Sequence, residues 1–144
     1  MSTITAETNV VDGIKTGIAA GLVGGLAFGI MMAMMGMLPM VAMLVGSENA
    51  FVGFIVHLFI SAAIGATYGL VAIRLPESWG ITVAAGAVNG IVWWVLGALV
   101  MMPLMLGMGE MVFVIGEMQW WSLVGHLIYG VITAVAFVQL SEYL

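Results

Sequence analysis

Charge is confined to nine positions in this chain, and the gaps between them set what it can fold into. Glu7, Asp12, Lys15, Glu48, Arg74, Glu77, Glu110, Glu117 and Glu142 bound four uncharged runs, residues 16–47, 49–73, 78–109 and 118–141, of 32, 25, 32 and 24 residues. Each exceeds the roughly 20 apolar residues that a helix needs to cross a bilayer core. A membrane-spanning strand would leave amides unpaired in lipid, and the two-residue alternation of a barrel is absent, so the runs read as helices. With 64% hydrophobic and 6% charged residues, the sequence cannot dress a water-facing surface. The expected fold is all-α, an integral membrane four-helix bundle with the lipid bilayer as its solvent.

The same composition excludes several functions. Lys15 and Arg74 are the whole basic complement of a chain with net charge −5, too little to hold a nucleic-acid backbone. The absence of cysteine removes disulfides, iron–sulfur clusters, thiolate zinc and covalent c-type haem. No nucleophile stands beside a base, no glycine loop cradles phosphate and no carboxylates pair within a span, so the expectation is a protein that is not an enzyme.

Organisation follows from the charge map. Residues 1–16 form a short polar tail without the basic start of a secretory signal. Residues 17–73 and 80–141 form two transmembrane hairpins. Lys15 and Arg74 fall on one side, which the positive-inside rule assigns to the cytoplasm, giving a multi-pass protein of the cell membrane with both termini inside. Trp79 on that side, and Trp120 with Trp121 on the other, are placed as interface anchors.

The two hairpins read as copies. Gly21, Gly25, Ala33 and Met37 recur 65 residues later as Gly86, Gly90, Ala98 and Met102, with Pro39 and Pro103 following each set. FIVHLFISAAIGATYGLVA resembles LVGHLIYGVITAVAFVQL, with His57 opposite His126. Each copy crosses twice, so the copies enter in the same direction, and a pseudo-twofold axis along the membrane normal is expected. Spans are expected to end or kink at the prolines. Gly17, Gly21, Gly25, Gly29 and Ala33 recur every four residues and mark a face where another backbone approaches closely, as do Gly65 with Gly69, and Gly86 with Gly90. Such a stripe also serves contacts between chains, so a homo-oligomer or a larger membrane complex is a further expectation.

Two constellations carry chemistry. His57 and His126 lie on packing faces at equivalent depth, and ionisable residues inside a membrane are functional candidates. Their imidazoles could supply both axial ligands of a b-type haem for electron transfer or sensing, with Gly65 and Gly130 leaving room for the macrocycle. Twelve of the 14 methionines crowd the same outer half, among them Met31, Met35, Met37, Met101, Met102 and Met105. Thioethers select soft ions, so copper bound or moved along a face containing His57, His126, Met37 and Met102 is the alternative. A third reading has no cofactor and makes the chain an accessory subunit whose histidines only tie helices together.

The segments MMGMLPMVAMLVGS, IVWWVLGALVMMPLMLGM and SLVGHLIYGV together resemble a family of small, uncharacterised bacterial and archaeal four-helix membrane proteins, over roughly residues 17–140. The resemblance implies the duplicated hairpin and membrane location, and carries no activity with it.

Overall fold

A computed structural model describes residues 3–143, with side chains from residue 9 onward. All regular structure among these residues is helical. Helix α1 spans Thr3–Met34, the short α2 spans Leu38–Ala42, and α3 spans Ala50–Ala72. Helix α4, Trp79–Trp93, runs on through a π-helical stretch, Trp94–Met101, into α5, Met102–Met105. Helix α6 spans Glu117–Ser141. Four stretches, Asn9–Met34, Ala50–Ala72, Trp79–Met105 and Glu117–Ser141, are long and apolar enough to cross a membrane.

The polar tail expected over residues 1–16 is not separate from the first span. From Thr3 it continues as helix, because Gly13 lies directly against the Gly69 carbonyl and Ile73, and Thr16 is buried.

Helix ends follow glycine more closely than proline. After α1, Gly36 takes φ +68°, its N–H reaches the Ala33 carbonyl, and the Met37 N–H reaches that of Met32. This double closure satisfies carbonyls that a helix end leaves without partners, and needs a residue at ease in the left-handed region. Pro39 then sits in the first turn of α2, where its missing N–H costs nothing. In the second hairpin the helix passes through Pro103. Proline cannot donate to the carbonyl four residues back, that of Leu99. The Phe113 N–H, from the following loop, donates to it at 3.1 Å. Phe113 holds φ +58° to do so, a conformation that costs a non-glycine residue about 1–2 kcal/mol.

Helix α1 is central. One face, Gly17, Gly21, Gly25 and Gly29, lies on α3, where Gly17 meets Gly65 and Gly69, Gly21 meets Ser61 and Gly65, Gly25 meets Ser61, and Gly29 meets Phe54 and His57. Ala33, at the end of that stripe, is exposed. A second face, Ala20, Gly24 and Phe28, lies on α6, with Gly24 against Tyr129 and Thr133 and Phe28 against Gly125. Helix α6 in turn holds α4, with Gly86 against Gly130 and Ala134, and Gly90 against the His126 backbone. A twofold exchanging the hairpins would set α4 on α3 as closely as α1 lies on α6. Instead α3 and α4 stand on opposite flanks of the α1–α6 pair, because α1 carries a second small-residue face. At the equivalent positions α4 has Ala85, Asn89 and Trp93, where Asn89 and Trp93 are too large to admit a backbone as closely.

These contacts predict opposite outcomes for two glycines. A Cβ at Gly65 would press into the Gly17 carbonyl and the Gly21 Cα, backbone that cannot give way. Gly65→Val should therefore destabilise the fold by about 3 kcal/mol. Gly97 has nothing within 4 Å of an added Cβ, so Gly97→Ala should be neutral or stabilise by up to about 1 kcal/mol. Thermal unfolding of both variants in detergent checks the contrast.

Candidate functional site

The two histidines reach one another through a third ring. Phe28 of α1 is buried, with its centroid 5.3 Å from that of His57 at an interplanar angle of 89°, and 4.9 Å from that of His126 at 63°. Both are edge contacts, an arrangement favoured by the aromatic quadrupole. The placement depends on two glycines. Gly29 leaves room beside His57 and Phe54, and Gly125 takes the Phe28 ring where a side chain would collide with it.

Hydrogen bonding fixes both imidazoles in different ways. The His57 Nε2–H donates to the Gly25 carbonyl across the helix pair at 2.9 Å. The His126 Nδ1–H donates to the Ser122 carbonyl one turn back at 2.7 Å, with the Ser122 Oγ at 3.3 Å. A carbonyl only accepts, so each of these nitrogens carries the proton and the opposite tautomers are assigned. The bare nitrogen is then Nδ1 in His57 and Nε2 in His126. An N–H held by a backbone carbonyl is the way metal-ligating histidines are oriented. The surroundings are tied similarly: the Tyr129 hydroxyl donates to the Ser61 carbonyl at 2.7 Å, and the Ser61 Oγ donates to the His57 carbonyl at 2.7 Å.

Phe28 also belongs to a buried cluster with Met32, Met37, Leu38, Val41 and Tyr129, against which Met31 and Met102 pack. Met37 and Met102, 65 residues apart, thus meet in or against the cluster that contains Phe28. The remaining methionines divide otherwise: Met34, Met35, Met43, Met101, Met105 and Met108 are exposed, so the i, i+4 pairs Met31–Met35 and Met101–Met105 are not closed sites. Glu48 and Glu110, between helices, and Glu117, at the start of α6, are exposed. Among the described residues no three His, Cys, Asp or Glu side chains group as a metal site.

Gly65 and Gly130 do not leave space for a macrocycle. Gly65 is filled by the backbone of Gly17 and Gly21, and Gly130 by that of Gly86 and Gly90. Phe28, Gly24 and Gly125 are the members that reading from sequence missed. Ala20, Gly24 and Phe28 do recur every four residues, and that second stripe on α1 was the available signal.

No protein-family model, curated protein or solved structure matches this chain.

Removing the shared ring should be costly. Phe28→Ala leaves a void between two imidazoles and should lower stability by about 3–5 kcal/mol, whereas Tyr129→Phe, losing one donor to the Ser61 carbonyl, should cost about 1–2 kcal/mol. Chemical unfolding in mixed micelles checks both the order and the gap.

Proposed function

We propose that the chain is an integral protein of the cell membrane, a duplicated hairpin whose outer half binds a soft monovalent cation, Cu(I), through His57 and His126 with thioether support from Met37 and Met102. Membrane location is supported by the four long apolar helices and by large side chains that face outward from them, such as Phe51 at 71% and Phe59 at 78% exposure. Lys15 and Arg74 give the orientation, with both termini cytoplasmic. Duplication is supported by contacts at the expected offsets: Gly21 on Ser61 and Gly65 corresponds to Gly86 on Gly130 and Ala134.

The observation that carries the metal reading is the Phe28 cluster, in which two imidazoles, each with one N–H held and one nitrogen bare, adjoin a core containing Met32 and Met37. Imidazole and thioether suit copper, and thioether favours its reduced form. A small ion needs far less displacement of the Phe28 ring than a macrocycle does. A b-type haem would need that ring expelled and the helices parted, against the glycine contacts. On this reading the role is binding or passage of the ion rather than catalysis. The accessory-subunit reading predicts no ion at all.

Anaerobic titration of the purified protein with Cu(I) against a chromophoric chelator, with Ag(I) as a redox-inert stand-in, tests this. One ion per chain is expected, with affinity falling at least tenfold in His57→Ala and in His126→Ala, and less in Met37→Leu/Met102→Leu. Unchanged binding in both histidine variants would sink the proposal, as would a Soret band in the protein as purified.

A further inference from the structure

The end of the bundle opposite the histidines holds a cavity of about 900 Å³, bounded by α1, α3, the Ile73–Ser78 connection, α4 and α6. Its volume lies in the range of sites for small organic ligands. Three features define what it suits. Thr16, Tyr68 and Thr82 line it, each more than nine-tenths buried as a residue. Hydroxyls that line a cavity are available to hydrogen-bond a ligand or water held there. Tyr68, Phe137 and Trp79 add aromatic wall, with Tyr68 and Phe137 edge to face at 5.9 Å. Asp12, Glu77 and Glu142 stand at the rim, where Arg74 is the one basic group among the described lining residues, and its guanidinium donates to the Leu70 carbonyl near the end of α3.

The geometry points to a binding site for an organic cation with an apolar body, entered from the Lys15 and Arg74 side and separate from the histidine site. Carboxylates at a cavity mouth raise the local concentration of cations, the aromatic faces attract positive charge, and the hydroxyl oxygens supply acceptors at the floor. An anion would meet a net negative rim, and a neutral apolar molecule would gain nothing from it. The aromatic side chains in the wall and the width of the cavity distinguish the site from one for a small hydrated metal ion, which would gather oxygen ligands closely round itself.

Tetraphenylphosphonium and tetraphenylborate have one shape and opposite charge, and equilibrium dialysis of the intact protein in detergent against each, corrected for empty micelles, provides the test. The cation is expected to bind saturably at one per chain, and the anion only to partition. Asp12→Asn/Glu77→Gln/Glu142→Gln, changes within α1, in a connection and just past α6, should weaken cation binding at least tenfold, and Thr82→Val should weaken it less. His57→Ala should leave it unchanged, which separates this site from the proposed Cu(I) site. Equal, unsaturable uptake of both ions by the wild-type protein would overturn the inference, as would full affinity in the triple variant.

Discussion

The backbone of α1 lies almost in contact with the backbone of α3, and most of the architecture follows from that approach. Gly17, Gly21 and Gly65 meet where no Cβ can enter, so the helices are locked in register along several turns. In the proposed lipid setting, apolar side chains gain little by leaving one hydrocarbon environment for another, and close packing of small residues is what holds helices together. Helix α1 repeats the device on a second face through Ala20 and Gly24, which brings α6 alongside. With both faces occupied, α3 and α4 are left on the flanks, and the two histidines, on α3 and α6, are held on either side of Phe28.

A second constraint is that backbone groups need partners wherever the helices break. Gly36 and Gly107 each close a helix end with paired bonds, one from the glycine's own N–H and one from that of the next residue, and their left-handed φ makes this feasible. At Pro103 the partner comes from afar, since the Leu99 carbonyl is met by Phe113 in a strained conformation. The same accounting orients the site. The Gly25 and Ser122 carbonyls hold one N–H of each imidazole, and the Ser61 carbonyl takes the Tyr129 hydroxyl. Close helix packing and the positioning of the histidines are thus parts of one arrangement, because glycines admit both the neighbouring backbone and the rings.

Much of this could be read from the chain. Charge spacing placed the four long helices, and the fourfold glycine spacing marked close-packing faces on α1 and α3 without saying that the two would meet. The proximity of His57 and His126 to one buried ring agrees with their matched positions in the two hairpins. What could not be read depends on non-local contacts. The fate of the Leu99 carbonyl rests on a donor 14 residues later in a loop with no periodicity. The departure from twofold symmetry arises because α1 has Gly24 and Phe28 where α4 has Asn89 and Trp93, a difference that matters only once α6 has chosen its neighbour. Phe28 looked like one apolar residue among many, and its role as spacer between imidazoles emerges only when α3 and α6 are both in place.

The central claim is that one phenyl ring contacts two imidazoles fixed in opposite tautomers. The chain has only two histidines, so solid-state NMR of protein labelled with ¹⁵N-histidine and ¹³C-phenylalanine in lipid bilayers reads the claim directly. The account predicts one ring protonated at Nε2 and one at Nδ1, both showing through-space contacts to Phe28 that vanish in Phe28→Leu. Identical tautomers, or contacts from only one imidazole, would contradict it.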